Sequence, residues 1–135
     1  DLRVKVFLFG GGKMEQQILD EWVMKYPPVV SMAGKIKMEN ELILMSLLDV
    51  MLSMDSANMH LASLVNTPVV SVWGATHPYA GFMGWNQSAA NCVQTDLICR
   101  PCSVFGNKKC CRGDYACLFG IKPETIIEKI QTIID

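Results

Sequence analysis

Val50-Met51-Leu52-Ser53-Met54-Asp55-Ser56-Ala57-Asn58-Met59-His60-Leu61-Ala62-Ser63-Leu64-Val65-Asn66-Thr67-Pro68-Val69-Val70-Ser71-Val72-Trp73 is the stretch on which the fold turns. Val50 to Met54 reads as a short buried strand. Asp55 and Ser56 sit at its end, and a short helix over about Asn58 to Val65 follows. Asn66, Thr67 and Pro68 make a turn. Val69 to Trp73 is then a second apolar run of strand length. A strand, a helix and another strand within so few residues form a βαβ unit, which demands a parallel pair and a right-handed crossover.

The same alternation extends upstream. Val4 to Phe9 reads as a strand that Gly10, Gly11 and Gly12 break. Met14, Ile18, Leu19, Trp22, Val23 and Tyr26 then fall at helical spacing on one stripe. Pro27 and Pro28 end that helix. Val29 to Met32 is a further strand, and Gly34 to Lys37 a basic loop. A second helix over about Met38 to Leu48 is apolar over much of its surface and is expected to be well covered. Downstream, Gly74 to Gln87 is a long loop and Ala89 to Val93 a short strand. Pro123 suits the first position of a last helix, whose Ile126, Ile127, Ile130, Ile133 and Ile134 form a 3.6-residue stripe. The fold class is α/β: a small, doubly wound parallel sheet covered on both faces.

Composition narrows the function classes. The 135 residues match one ordinary domain, 1–135. Half are hydrophobic and 19% charged, which argues against disorder. A net charge of -1 without basic clusters leaves nucleic-acid binding no electrostatic footprint. No apolar run approaches the ~18 residues of a membrane span. Asp1-Leu2-Arg3-Val4-Lys5 is neither a start methionine nor a signal peptide, so the expectation is a fragment that lacks its first half.

Candidate chemistry gathers after the strands. Asp55-Ser56-Ala57-Asn58-Met59-His60 lies at the carboxyl end of a strand and opens a helix, the edge where open α/β sheets bind ligands. The unpaired N–H groups of a first helical turn suit a phosphate. Small side chains at Ser56 and Ala57 admit an anion, and His60 adds a donor. The plainer alternative makes Asp55 or Ser56 an N-cap and His60 a core residue. Gly74-Ala75-Thr76-His77-Pro78 follows the next strand and belongs on the same edge, where Thr76 and His77 suit a phosphate or a sugar hydroxyl. Gly10-Gly11-Gly12-Lys13 is not a P-loop, because the spacing is wrong and Met14 stands where a magnesium-binding hydroxyl is needed. It also lacks the G-x-G-x-x-G pattern of dinucleotide sites.

All six cysteines (92, 99, 102, 110, 111 and 117) fall in the last third of the chain. Cys99-x-x-Cys102 has ligand spacing, and with Cys110 and Cys117 it allows a structural zinc. Disulfides and reduced thiols packed under the loop are the other two states open to them.

Asp55 to Ala62, Thr67-Pro68-Val69-Val70 and Trp73 to Pro78 together resemble the donor-binding C-terminal half of the ADP-heptose:lipopolysaccharide heptosyltransferase family, glycosyltransferase family nine. Phe9-Gly10 with Glu15, Ala33-Gly34-Lys35 and the cysteine segment fit as well. The resemblance covers nearly the whole chain. It implies a Rossmann-like half of a B-type, inverting glycosyltransferase that moves heptose or a related sugar from a nucleotide diphosphate sugar to a lipopolysaccharide core acceptor. The implied donor-binding residues are Asp55, Ser56, Ala57, Asn58, Met59, His60, Gly74, Thr76 and His77, with the adenosine near Gly34 and Lys35.

The family's proposed base lies in the N-terminal domain, which is absent here, so this chain alone is expected to be inactive. Its implied partners are the ADP-heptose-like donor, a lipid-linked oligosaccharide acceptor and its own N-terminal domain. No Asp-x-Asp motif occurs, and no metal is expected in catalysis. The implied setting is the cytoplasm or the inner face of the bacterial inner membrane, which disfavours native disulfides. Two departures bear on the donor. Ala57-Asn58 replaces the family's usual Gly-Pro or Gly-Leu, giving Asn58 a side chain that can reach a sugar hydroxyl. Ile36, Lys37 and Asn40 replace the usual Thr-Ser and Glu, leaving Glu39 or Glu41 as substitutes for a ribose contact. Two other functions fit the residues: a cysteine-rich zinc or interaction module on an α/β scaffold, or another B-type transferase or epimerase.

Overall fold

A computed structural model describes residues 4–135. Chain contacts divide it into two compact units, Asp1–Leu44 and Met45–Asp135.

In the first unit, β1 (Val6–Leu8) pairs in parallel with β2 (Val29–Ser31), Val6 opposite Val29 and Leu8 opposite Ser31. The crossover is α1 (Lys13–Lys25). Gly12 enters that helix at φ 78°, a backbone that favours glycine. No side chain caps α1 at its N-cap. Instead Glu15 folds back, and its Oε2 accepts from the Gly11 amide at 2.8 Å. The apolar stripe of α1 is less covered than its spacing implies. Leu19 is buried, whereas Met14 is 79% exposed and Ile18 and Trp22 are about half exposed. Periodicity marks which residues share a face, and packing alone decides whether anything covers it.

The unit boundary falls within α2 (Met38–Ser46). Expected to be well covered, this helix buries only Met45 fully and leaves Met38 and Ile43 exposed.

The second unit holds three parallel strands in the order β3 (Met51–Met54), β4 (Val69–Trp73), β5 (Cys92–Gln94). Met51 faces Val69, and Ser71 faces Cys92. β4 is central and buried at every position, which is why Val69 to Trp73 reads as an apolar run that only Ser71 interrupts. β3 is the first strand of this sheet and alternates, with Met51 and Ser53 buried and Leu52 and Met54 exposed. α3 (Ala57–Leu64) packs on β3 and β4. The last helix, α5 (Pro123–Ile134), sets Ile126, Ile130 and Ile133 against Val70, Val72 and Val93. Burying each such aliphatic side chain contributes roughly 1.5–3 kcal/mol. Pro123 opens α5 as its sequence position implies. No helix among the described residues is long and apolar enough to cross a membrane.

Polar groups in this core are paired. The Trp73 indole is fully buried and donates to Ser71 Oγ at 2.8 Å. Gln87 holds the start of β4 from the side, accepting from Val69 N and donating to Thr67 O. Between β5 and α5 the chain is irregular except for the single turn of α4 (Ala116–Phe119).

Candidate functional site

β3 and β4 are parallel neighbours, so their carboxyl ends deliver Asp55 and the 74–78 loop to one edge of the sheet. The two loops are joined directly, with Thr76 Oγ1 donating to Asp55 Oδ2. Thr76 is 4% exposed, so its hydroxyl has left water, and the carboxylate repays that loss. Asp55 therefore braces the loops and does not cap α3. Ser56 does occupy the N-cap position, but its side chain caps nothing; its Oγ lies 3.0 Å from Ser53 Oγ. The first-turn amides of α3 are thus left without a side-chain acceptor.

The remaining α3 residues separate by role. Met59 is buried in the core and its amide donates to Ser56 O at 3.1 Å, so neither its side chain nor its N–H is left for a ligand. Ala57 and His60 are exposed and Asn58 half-buried. His60 is therefore not a core histidine. His77 caps the turn Pro78–Ala80, and its Nδ1 accepts from Tyr79 N at 3.1 Å. That bond assigns the ring proton to Nε2, the nitrogen that remains to donate.

A cavity of about 180 Å³ opens beside the Asp55–Thr76 bond. Asp55, Gly74 and Thr76 line it, together with Met54 and Ala75 from the same strand ends. Its other wall comes from a segment that sequence reading treated as irregular: Cys102, Gly106, Lys108, Cys110, Tyr115, Cys117 and Leu118. Leu118 packs directly on the Gly74 backbone, and a Cβ there would stand 2.7 Å from Leu118 Cδ2, so that side chain would have to shift for any larger residue. Ser56, Ala57, Asn58, Met59, His60 and His77 do not line the cavity. Gly34 and Lys35 belong to the first unit, where Gly34 is exposed at φ 67° and Lys35 pairs with Asp20 at 3.3 Å. Both partners of that pair are exposed, so it is worth little and a competing anion displaces it easily.

Arg100 holds the site together and escaped sequence reading. Its guanidinium donates to the carbonyls of Gly74 (2.6 Å), Thr76 (3.0 Å), Thr95 and Trp73, and to Gln94 Oε1 (3.1 Å). The carboxyl ends of β4 and β5 are thereby tied to one side chain. Nothing in the local pattern announces it, because an arginine in an aperiodic loop looks like a surface charge.

The cysteines are all free thiols. Among the described residues, no three His, Cys, Asp or Glu side chains converge as a metal-holding group. Cys102 lies against Cys111; burial first, and then that neighbour, push its thiol upward. Cys110 moves the other way. The amide of Tyr115, followed by those of Arg112 and Gly113, donates to its sulfur and favours the thiolate, outweighing partial desolvation.

The chain's relatives point one way. The sequence model of glycosyltransferase family 9 (heptosyltransferase) matches residues 2–111. Two lipooligosaccharide heptosyltransferase 2 proteins of Campylobacter jejuni, from serotypes O:6 and O:2, are each 26% identical over 133 residues. The alignments cover 96% of this chain but only 41% and 40% of those proteins, so the chain spans about two fifths of their length. No solved structure matches.

Proposed function

Because this chain belongs to glycosyltransferase family 9, the heptosyltransferases, we propose that it is the donor-binding half of an inverting transferase. That enzyme would move a heptose or a related sugar from a nucleotide diphosphate to a lipopolysaccharide core hydroxyl. The observation that carries this reading is the Asp55–Thr76 bond, which braces two strand-end loops beside a cavity. The family's B-type architecture supports the role. So does the first turn of α3, whose amides have no side-chain cap.

The chemistry follows from charge. As the sugar leaves, its anomeric carbon becomes positive and the diphosphate gains negative charge. Ser56 N and Met59 N already donate to the carbonyls of Met54 and Ser56, so the amides fixed in advance are those of Ala57 and Asn58. With His60 and the Nε2 donor of His77 they stabilise that growing charge without reorganising, and losing one such contact typically costs about 3 kcal/mol of barrier. The acceptor and the base that deprotonates it would be supplied by another domain. Turnover would then need that domain, and in the cell the work would be done in the cytoplasm, at the inner face of the inner membrane.

Calorimetric titration with ADP, using UDP and GDP as controls, tests the reading. A half-site predicts Kd of about 0.1–1 mM. Asp55→Ala frees the Thr76 loop and should weaken binding at least several-fold. Tighter binding of UDP or GDP would keep the transferase and change its donor. A folded chain that binds none of the three, alone or with its acceptor-binding domain, would sink the proposal.

A further inference from the structure

The cysteine-rich segment does more than wall the cavity. Its backbone is tied down over the 74–76 loop: the amides of Cys102 and Ser103 both donate to Ala75 O, at 3.1 and 3.3 Å. Ser103 Oγ reaches Asn107 Oδ1 at 3.3 Å, and Gly106 turns beside Thr76 at φ 69°. This path delivers Lys108 to the cavity.

The segment from residue 99 to 114 carries four cations: Arg100, Lys108, Lys109 and Arg112. Arg100 is taken up by carbonyls. Arg112 makes a salt bridge with Asp114 at 2.8 Å. Lys109 does not line the cavity. Lys108 does, and among the described residues no acceptor or carboxylate pairs with it.

Charge and size then decide what Lys108 faces. The cavity wall has one acidic side chain, Asp55, and one ordinary cation, Lys108. Asp55 alone would repel a phosphate at contact range; an unpaired ammonium lining the same cavity offsets that repulsion and supplies an attraction. At about 180 Å³ the cavity is smaller than the roughly 300–1,000 Å³ that encloses a whole drug-sized ligand. It therefore takes part of the donor, and its unpaired cation selects the anionic part. We infer that Lys108 is a phosphate-binding residue: from the cysteine-rich loop it contacts the side of the nucleotide sugar's diphosphate that lies toward Asp55 and Thr76, away from the α3 amides, which do not line this cavity. This rests on the donor-site reading above and adds a residue from outside the strand-end motifs.

The test is titration of the full chain, wild type against Lys108→Gln and Lys108→Arg, with ADP as probe and adenosine as the phosphate-free control. Lys108→Gln should weaken ADP by about two- to fivefold, as for one exposed charge contact. Adenosine should be unaffected, and Lys108→Arg should restore most of the loss. The salt dependence of ADP binding should also flatten in Lys108→Gln, because one charge contact is gone. The side chain is exposed, so the variants should melt with the wild type. Equal ADP binding by wild type and Lys108→Gln would overturn the inference and leave the donor site standing. Equal losses for ADP and adenosine would make Lys108 a shape contact and overturn it too. A folded wild type that binds no nucleotide would remove the donor-site reading and this inference together.

Discussion

Arg100 shows how one residue can hold two strand ends together without lining the cavity beside them. Its donors reach five acceptors from Trp73 to Thr95, and lysine, with three donors on one nitrogen, cannot span that fan. Arg100→Lys should therefore behave nearly as badly as Arg100→Met. Both leave partly buried carbonyls unpaired, at about 1–3 kcal/mol, which lowers the melting temperature by about 3–15 °C. A structural role alone would stop there. If Arg100 positions the Thr76 loop, ADP affinity should also fall at temperatures well below the melt; unchanged affinity in the folded variant would refute the positioning role. Asp55 and Thr76 were both legible from their places after β3 and β4. Their partnership was not, because a hydrogen bond across 21 residues has no local signature.

The strands and helices were the most legible level. β4 follows from its apolar run, interrupted only by Ser71, and α5 from its isoleucine stripe, and both elements stand where spacing puts them. The stripe of α1 and the surface of α2 were legible as helix but not as exposed helix, since a period of 3.6 residues says nothing of neighbours. The turn from Cys110 to Tyr115 shows element geometry changing chemistry. Three amides directed at the Cys110 sulfur lower its thiol below the ordinary range, while burial and Cys111 raise that of Cys102. A lowered value means that thiolate persists to lower pH, and thiolate is the form that reacts. Brief alkylation with iodoacetamide at pH 7, followed by peptide mapping, should label Cys110 before Cys102. Equal rates would show that the amides do not hold the sulfur as described.

At the scale of the molecule, the cysteines set the test of what completes the fold. A zinc at Cys99, Cys102, Cys110 and Cys117 needs four sulfurs at about 2.3 Å from one point. The free thiols instead place Cys102 against Cys111. Elemental analysis of protein kept from chelators should find zinc well below one per chain; stoichiometric zinc would mean that the loop rearranges to bind it, carrying Lys108 with it. The sequence by itself determined the parallel α/β class and the sheet edge where chemistry gathers, because strand and helix periods are local and the crossover rule converts them into topology. It also determined the family, through motifs that lie at those same strand ends. Only the tertiary structure decided that Asp55 braces Thr76, that Arg100 binds the strand-end carbonyls, and that the cysteine loop brings Lys108 to the cavity. Those are contacts between distant residues in aperiodic segments, and such contacts are chosen by where hydrogen-bond acceptors and uncovered surface come together once the strands have paired.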